Sequence, residues 1–136
     1  MAKGYDTNQA RLQALSLLGK DLARRAKSKC ELSGESGVSL KTYEVEPVPN
    51  EPDLSNCLLV SESVLEQIQR PQSITGSAWR GILAELIWSE LPAQQVMAYR
   101  LLSYIARQEA WAQDILVEAF LDDEAVEWAE SSPLAK

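Results

Sequence analysis

The spacing of apolar residues divides the chain into three stretches. Over residues 8–28, Leu15, Leu18 and Leu22 recur at three- and four-residue intervals, and Leu12 and Ala26 extend the stripe. That period predicts an amphipathic helix, with Asp6 or Thr7 as its cap. Arg24, Arg25, Lys27 and Lys29 gather at its end, where cations face the negative pole of the helix dipole. The pattern then breaks at Gly34 and Gly37. Val38–Leu40 and Tyr43–Val45 read as short strands, and Cys57–Val60 (CLLV) as a third, buried one. Between them EPVPNEPDLSN (46–56) holds three prolines, each lacking the donor a central strand needs, so it reads as a loop.

Beyond residue 60 the helical period returns. Ser61 is one candidate N-cap, and Ser63 with Glu66 three residues on is another, as a capping box; Pro71 stops this helix. Ser77 is the expected cap of the next helix, whose stripe is Trp79, Ile82, Leu83, Leu86 and Ile87. Pro92 suits the first turn of a third, with Val96, Met97, Leu101, Tyr104 and Ile105 facing inward. Trp111, Ile115, Leu116, Ala119 and Phe120 continue the apolar face. Asp122 or Asp123 caps a short last helix carrying Val126 and Trp128, and the tail SSPLAK is expected to fray. The fold class expected is α+β, mainly α. An N-terminal helix (1–29), a small ribbon-like β region (30–64) and a C-terminal helical bundle (65–136) would share one compact domain.

Length and composition fit that picture: 136 residues suffice for one core without metal or disulfide staples, and 46% are apolar. No apolar run approaches a membrane span, and the N-terminus lacks the apolar core of a secretory signal, so a cytosolic protein is expected. Cys30 and Cys57 are too few for a disulfide framework and read as reduced thiols acting as small apolar residues. The net charge of −7 is unevenly spread: residues 1–29 carry a net +5 and the remainder −12. A basic face for nucleic acid is therefore available only on the first helix, at Arg24, Arg25, Lys27 and Lys29.

Chemistry is narrowed by what is missing. The chain has no histidine, which removes imidazole catalysis and imidazole-ligated zinc. There is no phosphate-cradling glycine loop and no G-x-S-x-G elbow. Glu44, Glu46, Glu51 and Asp53 cluster at the proline loop and read as a solvated acidic surface, as do Glu85, Glu90, Asp122, Asp123 and Glu124. Trp79 and Trp88, nine residues apart, fall on opposite sides of a helix, so one packs inward while the other reaches a neighbouring segment or a partner.

One motif stands out. KCELSGESG (29–37) has the outline of a zinc-knuckle turn, with Ser33 where a second cysteine would stand and Gly34 after it. Together with GKDLARRAKSKCEL, EVEPVPNEPD, WSELPAQQVMAYRLL and WAQDIL, it resembles the bacterial PhnA-like family over almost the whole chain. That resemblance implies a link to an alkylphosphonate-utilisation operon, a zinc-ribbon region near the start, and a nominal phosphonoacetate hydrolase activity. Some members continue into an SH3-like barrel, whereas the C-terminal half of this sequence reads as helical. Carried over position by position, the family's four metal ligands fall at Cys30, Ser33, Ser61 and Val64, so the ribbon is degenerate. No cofactor is expected, because hydroxyls are poor zinc ligands and valine is none. The favoured function is non-enzymatic, an interaction or regulatory role with an unidentified protein partner or through self-association. The alternatives are nucleic-acid binding through the basic helix end and the hydrolase activity.

Overall fold

The computed structural model describes residues 2–134. Six α-helices and one antiparallel strand pair follow in chain order: α1 (Ala2–Ala26), β1 (Leu40–Glu44), β2 (Cys57–Ser61), α2 (Glu62–Gln69), α3 (Gly76–Leu86), α4 (Pro92–Ile105), α5 (Ala110–Glu118) and α6 (Asp123–Ser131). The mainly helical α+β class expected from the sequence is the one observed. Short 3-10 turns at Leu54–Asn56 and Pro71–Ser73 lead into β2 and out of α2.

α1 starts earlier than its apolar stripe suggests, so Asp6 and Thr7 lie inside the helix and do not cap it. It ends where Lys27 and Ser28 both take positive φ, 55° and 62°. Left-handed backbone costs a non-glycine residue on the order of 1 kcal/mol, and here it reverses the chain into the turn that follows. The two short strands expected at 38–40 and 43–45 are one strand. Its length is set by pairing, since Leu40 to Glu44 oppose Ser61 to Cys57 residue for residue. The proline-rich stretch is the connecting loop, and Val45 N–H closes its base on the Asn56 carbonyl at 2.7 Å.

Ser61 ends β2 and caps α2: its Oγ accepts from Val64 N–H at 3.2 Å. The alternative box at Ser63 and Glu66 is therefore not the cap. α3 begins at Gly76, after Thr75, and not at Ser77. Packing explains the shift, because a Cβ on Gly76 would meet Ile105 Cγ2 at 3.2 Å, so the glycine lets the start of α3 sit close against α4. α4 is the hub. Ala93, Val96, Met97, Ala98, Leu101, Leu102 and Ile105 are buried on nearly every side, as is Arg100. α5 ends at Glu118 and Ala119 turns extended (ψ 141°), which swings Phe120 off the apolar face. Phe120 is consequently exposed, against expectation. Asp122 caps α6 by accepting from Ala125 N–H at 2.8 Å. Of the tail, Leu134 packs against the core, while residues 135–136 lie outside those described.

One core runs through the knuckle, the ribbon and the bundle. Cys30, Leu32, Val45, Leu58, Val60, Val64 and Ile68 join Trp79, Leu83, Ile87, Val96, Met97 and Leu101 in a single buried cluster. The second and third stretches distinguished in the sequence thus share an interior, while the buried Leu22 and Ala26 of α1 lie outside that cluster.

Candidate functional site: a knuckle without its ligands

The turn at residues 30–34 is closed by two backbone hydrogen bonds. Gly34 N–H donates to the Cys30 carbonyl at 2.8 Å, and Cys30 N–H donates to the Glu35 carbonyl at 2.8 Å. Gly34 takes φ 78°, the left-handed conformation that suits glycine at this position. Ser33 N–H points at Cys30 Sγ, 3.4 Å away. Burial pushes the Cys30 thiol up. The Ser33 hydroxyl and the N–H groups of Ser33, Ser61 and Leu32 outweigh it, so the thiol titrates below its ordinary value. Cys30 is a free, buried thiol.

All four positions implied by the family resemblance converge. Cys30, Ser61 and Val64 are buried, and Ser33 is half-buried beside them. Each non-cysteine member has another task. Ser33 Oγ accepts from Glu35 N–H at 3.3 Å, Ser61 Oγ caps α2, and Val64 joins the core. One thiol, two occupied hydroxyls and an isopropyl group do not make a tetrahedral zinc site. Among the described residues, no group of three or more His, Cys, Asp or Glu side chains is arranged to hold a metal ion.

A buried ion pair stands beside the knuckle. Arg25 Nε and Nη2 donate to the two carboxylate oxygens of Glu31, both at 2.8 Å. Arg25 also reaches the carbonyls of Leu54 at 3.2 Å and Cys57 at 2.6 Å. Glu31 completes the tie to β2: Leu59 N–H donates to its Oε1 at 2.8 Å, and its own N–H donates to the Leu59 carbonyl at 2.7 Å. The bond to Glu31 holds the Arg25 guanidinium above its ordinary value against the opposing effect of burial. Cys57, on the other side of this strut, is pushed up by burial and by the Glu44 carboxylate.

This strut changes the reading of the basic cluster. Arg25 faces inward, its donors taken by four oxygen acceptors, and is not placed to contact phosphate. Arg24, Lys27 and Lys29 are exposed, with Arg24 3.9 Å from Asp21. Arg11 is likewise drawn to the ribbon, where it pairs with Glu44 and donates to the Asn50 carbonyl at 2.9 Å. The acidic cluster at the proline loop is divided by these contacts. Glu44 is a structural partner, while Glu46, Glu51 and Asp53 remain at the surface. Asp53 titrates below its ordinary value because Ser55 N–H and Oγ donate to it.

Two buried contacts were not foreseen from sequence, the Arg25–Glu31 strut and the Arg100 bonds to α6. Arg100 is buried and bonded mainly to backbone carbonyls. Its Nε donates to the Ala129 carbonyl at 3.0 Å and its Nη2 to those of Trp128, at 2.8 Å, and Glu46. The available signal was a lone cation within α4's apolar run, between Tyr99 and Leu101 and three residues after Met97. Of the tryptophans, Trp79 is buried and donates to Gln67 Oε1 at 2.8 Å, whereas Trp88 faces solvent. Compared with family models, with curated proteins and with solved structures, the chain matches none.

Proposed function

We propose that the chain is a PhnA-like protein whose metal knuckle has become a hydrogen-bonded turn, acting in the cytosol as a non-enzymatic interaction or regulatory protein. The family reading is supported by the convergence of Cys30, Ser33, Ser61 and Val64 in a turn of knuckle form. The interaction reading is carried by α1. Among its described residues only Leu22 and Ala26 are buried, while Leu12 is 51% and Leu17 79% exposed. A helix about 37 Å long with uncovered leucines and a basic end is suited to receive another protein's apolar, acidic surface.

The wild-type chain and a Leu12→Asp/Leu17→Asp variant, used as baits in native cytosolic extract, test this. The wild type should retain a protein in stoichiometric amount and the variant should lose it. Equal capture by both baits, or phosphate release from phosphonoacetate with or without added divalent metal, would overturn the reading. Nucleic-acid binding would rest on Arg24, Lys27 and Lys29 alone, with affinity falling steeply as salt rises.

A further inference from the structure

The two faces of β2 are covered by different means. Leu58 and Val60 point into the bundle and belong to the common buried cluster. Cys57 alternates with them along the strand and is fully buried, yet it lies outside that cluster. Its cover is α1, which packs on β2 and on the 3-10 turn before it. The apolar part of that contact is thin. Among the described residues of α1 only Leu22 and Ala26 are buried, and neither they nor the half-buried Leu15 and Leu18 pack against the cluster.

Two arginine latches complete the contact. Arg11 holds Glu44 at the end of β1 and the Asn50 carbonyl of the proline loop. Arg25 holds Glu31 and the Leu54 and Cys57 carbonyls. Their side chains stay 24% and 21% exposed, so water can replace the oxygens they hold. Burial and Glu44 push the Cys57 thiol up while Arg25 and Arg11 both pull it down, which places the thiol within the field of both latches. The joint between α1 and the 30–34 turn is Lys27 and Ser28, whose φ of 55° and 62° are disfavoured for residues with side chains. A swing at this joint lets both relax. Segments held by few buried apolar residues and by partly exposed polar contacts are the ones that open while a core stays folded.

We infer that α1 is a latched cover, which swings away from β2 about Lys27 and Ser28 as one helix while the bundle stays folded. The open state uncovers the Cys57 face of β2 and frees the stripe of Leu15, Leu18 and Leu22 that the closed state holds against it. This goes beyond the interaction reading, which concerns the exposed Leu12 and Leu17 of the closed helix.

Thiol labelling of the full chain across a urea series tests it, with the modified cysteine located by mass spectrometry so that Cys30 is counted apart. Trp79, Trp88, Trp111 and Trp128 all lie in the bundle, so their fluorescence reports its unfolding independently. In the wild type, Cys57 should be labelled at urea concentrations where the fluorescence is still native. Arg11→Ala should speed that labelling about tenfold, the worth of one charge-assisted bond, and leave the fluorescence midpoint unchanged. Loss of the nearby cation would instead slow the reaction of a thiol that was already open. Leu22→Ala removes the apolar half of the contact and should also speed labelling. Labelling of Cys57 that begins only with the fluorescence transition, or that is unmoved by both Arg11→Ala and Leu22→Ala, would overturn the inference.

Discussion

A carboxylate buried beside the turn at residues 30–34 needs a compensating charge. Glu31 has one in Arg25, and only 4% of the Glu31 side chain remains exposed. The pair also satisfies the Leu54 and Cys57 carbonyls and the Leu59 N–H, so it ties α1, the knuckle and β2 together. Breaking such a pair from one side is costlier than removing both members, because a buried charge is then left alone. Glu31→Ala should lower unfolding free energy by about 3 kcal/mol, the low end for buried pairs, since Arg25 keeps a fifth of its side chain in water. Arg25→Met with Glu31→Leu should restore more than half of that loss. Urea unfolding of the three proteins decides it. Equal loss in the single and double variants would mean the pair only fills space.

Among the elements, α4 organises the bundle and Arg100 fastens α6 to it. The guanidinium reaches the Trp128 and Ala129 carbonyls near the end of α6 and the Glu46 carbonyl in the proline loop. Trp128 Nε1 donates to that same Glu46 carbonyl at 3.0 Å. Burial lowers the Arg100 pKa from its ordinary value, against the opposing influence of Tyr43 and the Glu46 carboxylate. Lysine keeps the charge but not the planar fork, so Arg100→Lys should cost about 2–3 kcal/mol. Hydrogen exchange should quicken in α6 while α2 and α3 stay protected. Unchanged α6 protection would show that the helix is held by apolar contact alone.

How much of these elements could be read from sequence depended on where their causes lie. Pro92 at the first turn of α4, Ser61 as a cap and Asp122 as a cap act within a few residues of themselves, and they were legible. The start of α3 follows from contact between Gly76 and Ile105, which sequence does not display. Phe120 continues the helical period of α5 in sequence, but the extended backbone at Ala119 breaks that period. Arg25 looked like one of four exposed cations because its acceptors lie across a left-handed turn and in a separate strand.

For the whole molecule, the question is what stabilises the 30–34 turn and the ribbon. A structural zinc stabilises a small ribbon that cannot bury enough apolar surface of its own. Here the ribbon shares a buried cluster with the helices, from Cys30 and Val64 through to Met97 and Leu101, and the Arg25–Glu31 pair closes its edge. The difference in chemistry between the Cys30 thiol, the Ser33 and Ser61 hydroxyls and the Val64 alkyl group was legible, because it holds wherever they fall. That they still meet is visible only in three dimensions. Thermal unfolding of the reduced protein, with and without excess chelator, tests most directly the proposal that packing and not a metal ion holds the turn. The melting temperature should be the same in both, with no zinc in the purified protein by elemental analysis. A chelator-induced fall in melting temperature, with stoichiometric zinc lost on Cys30→Ala, would contradict the account.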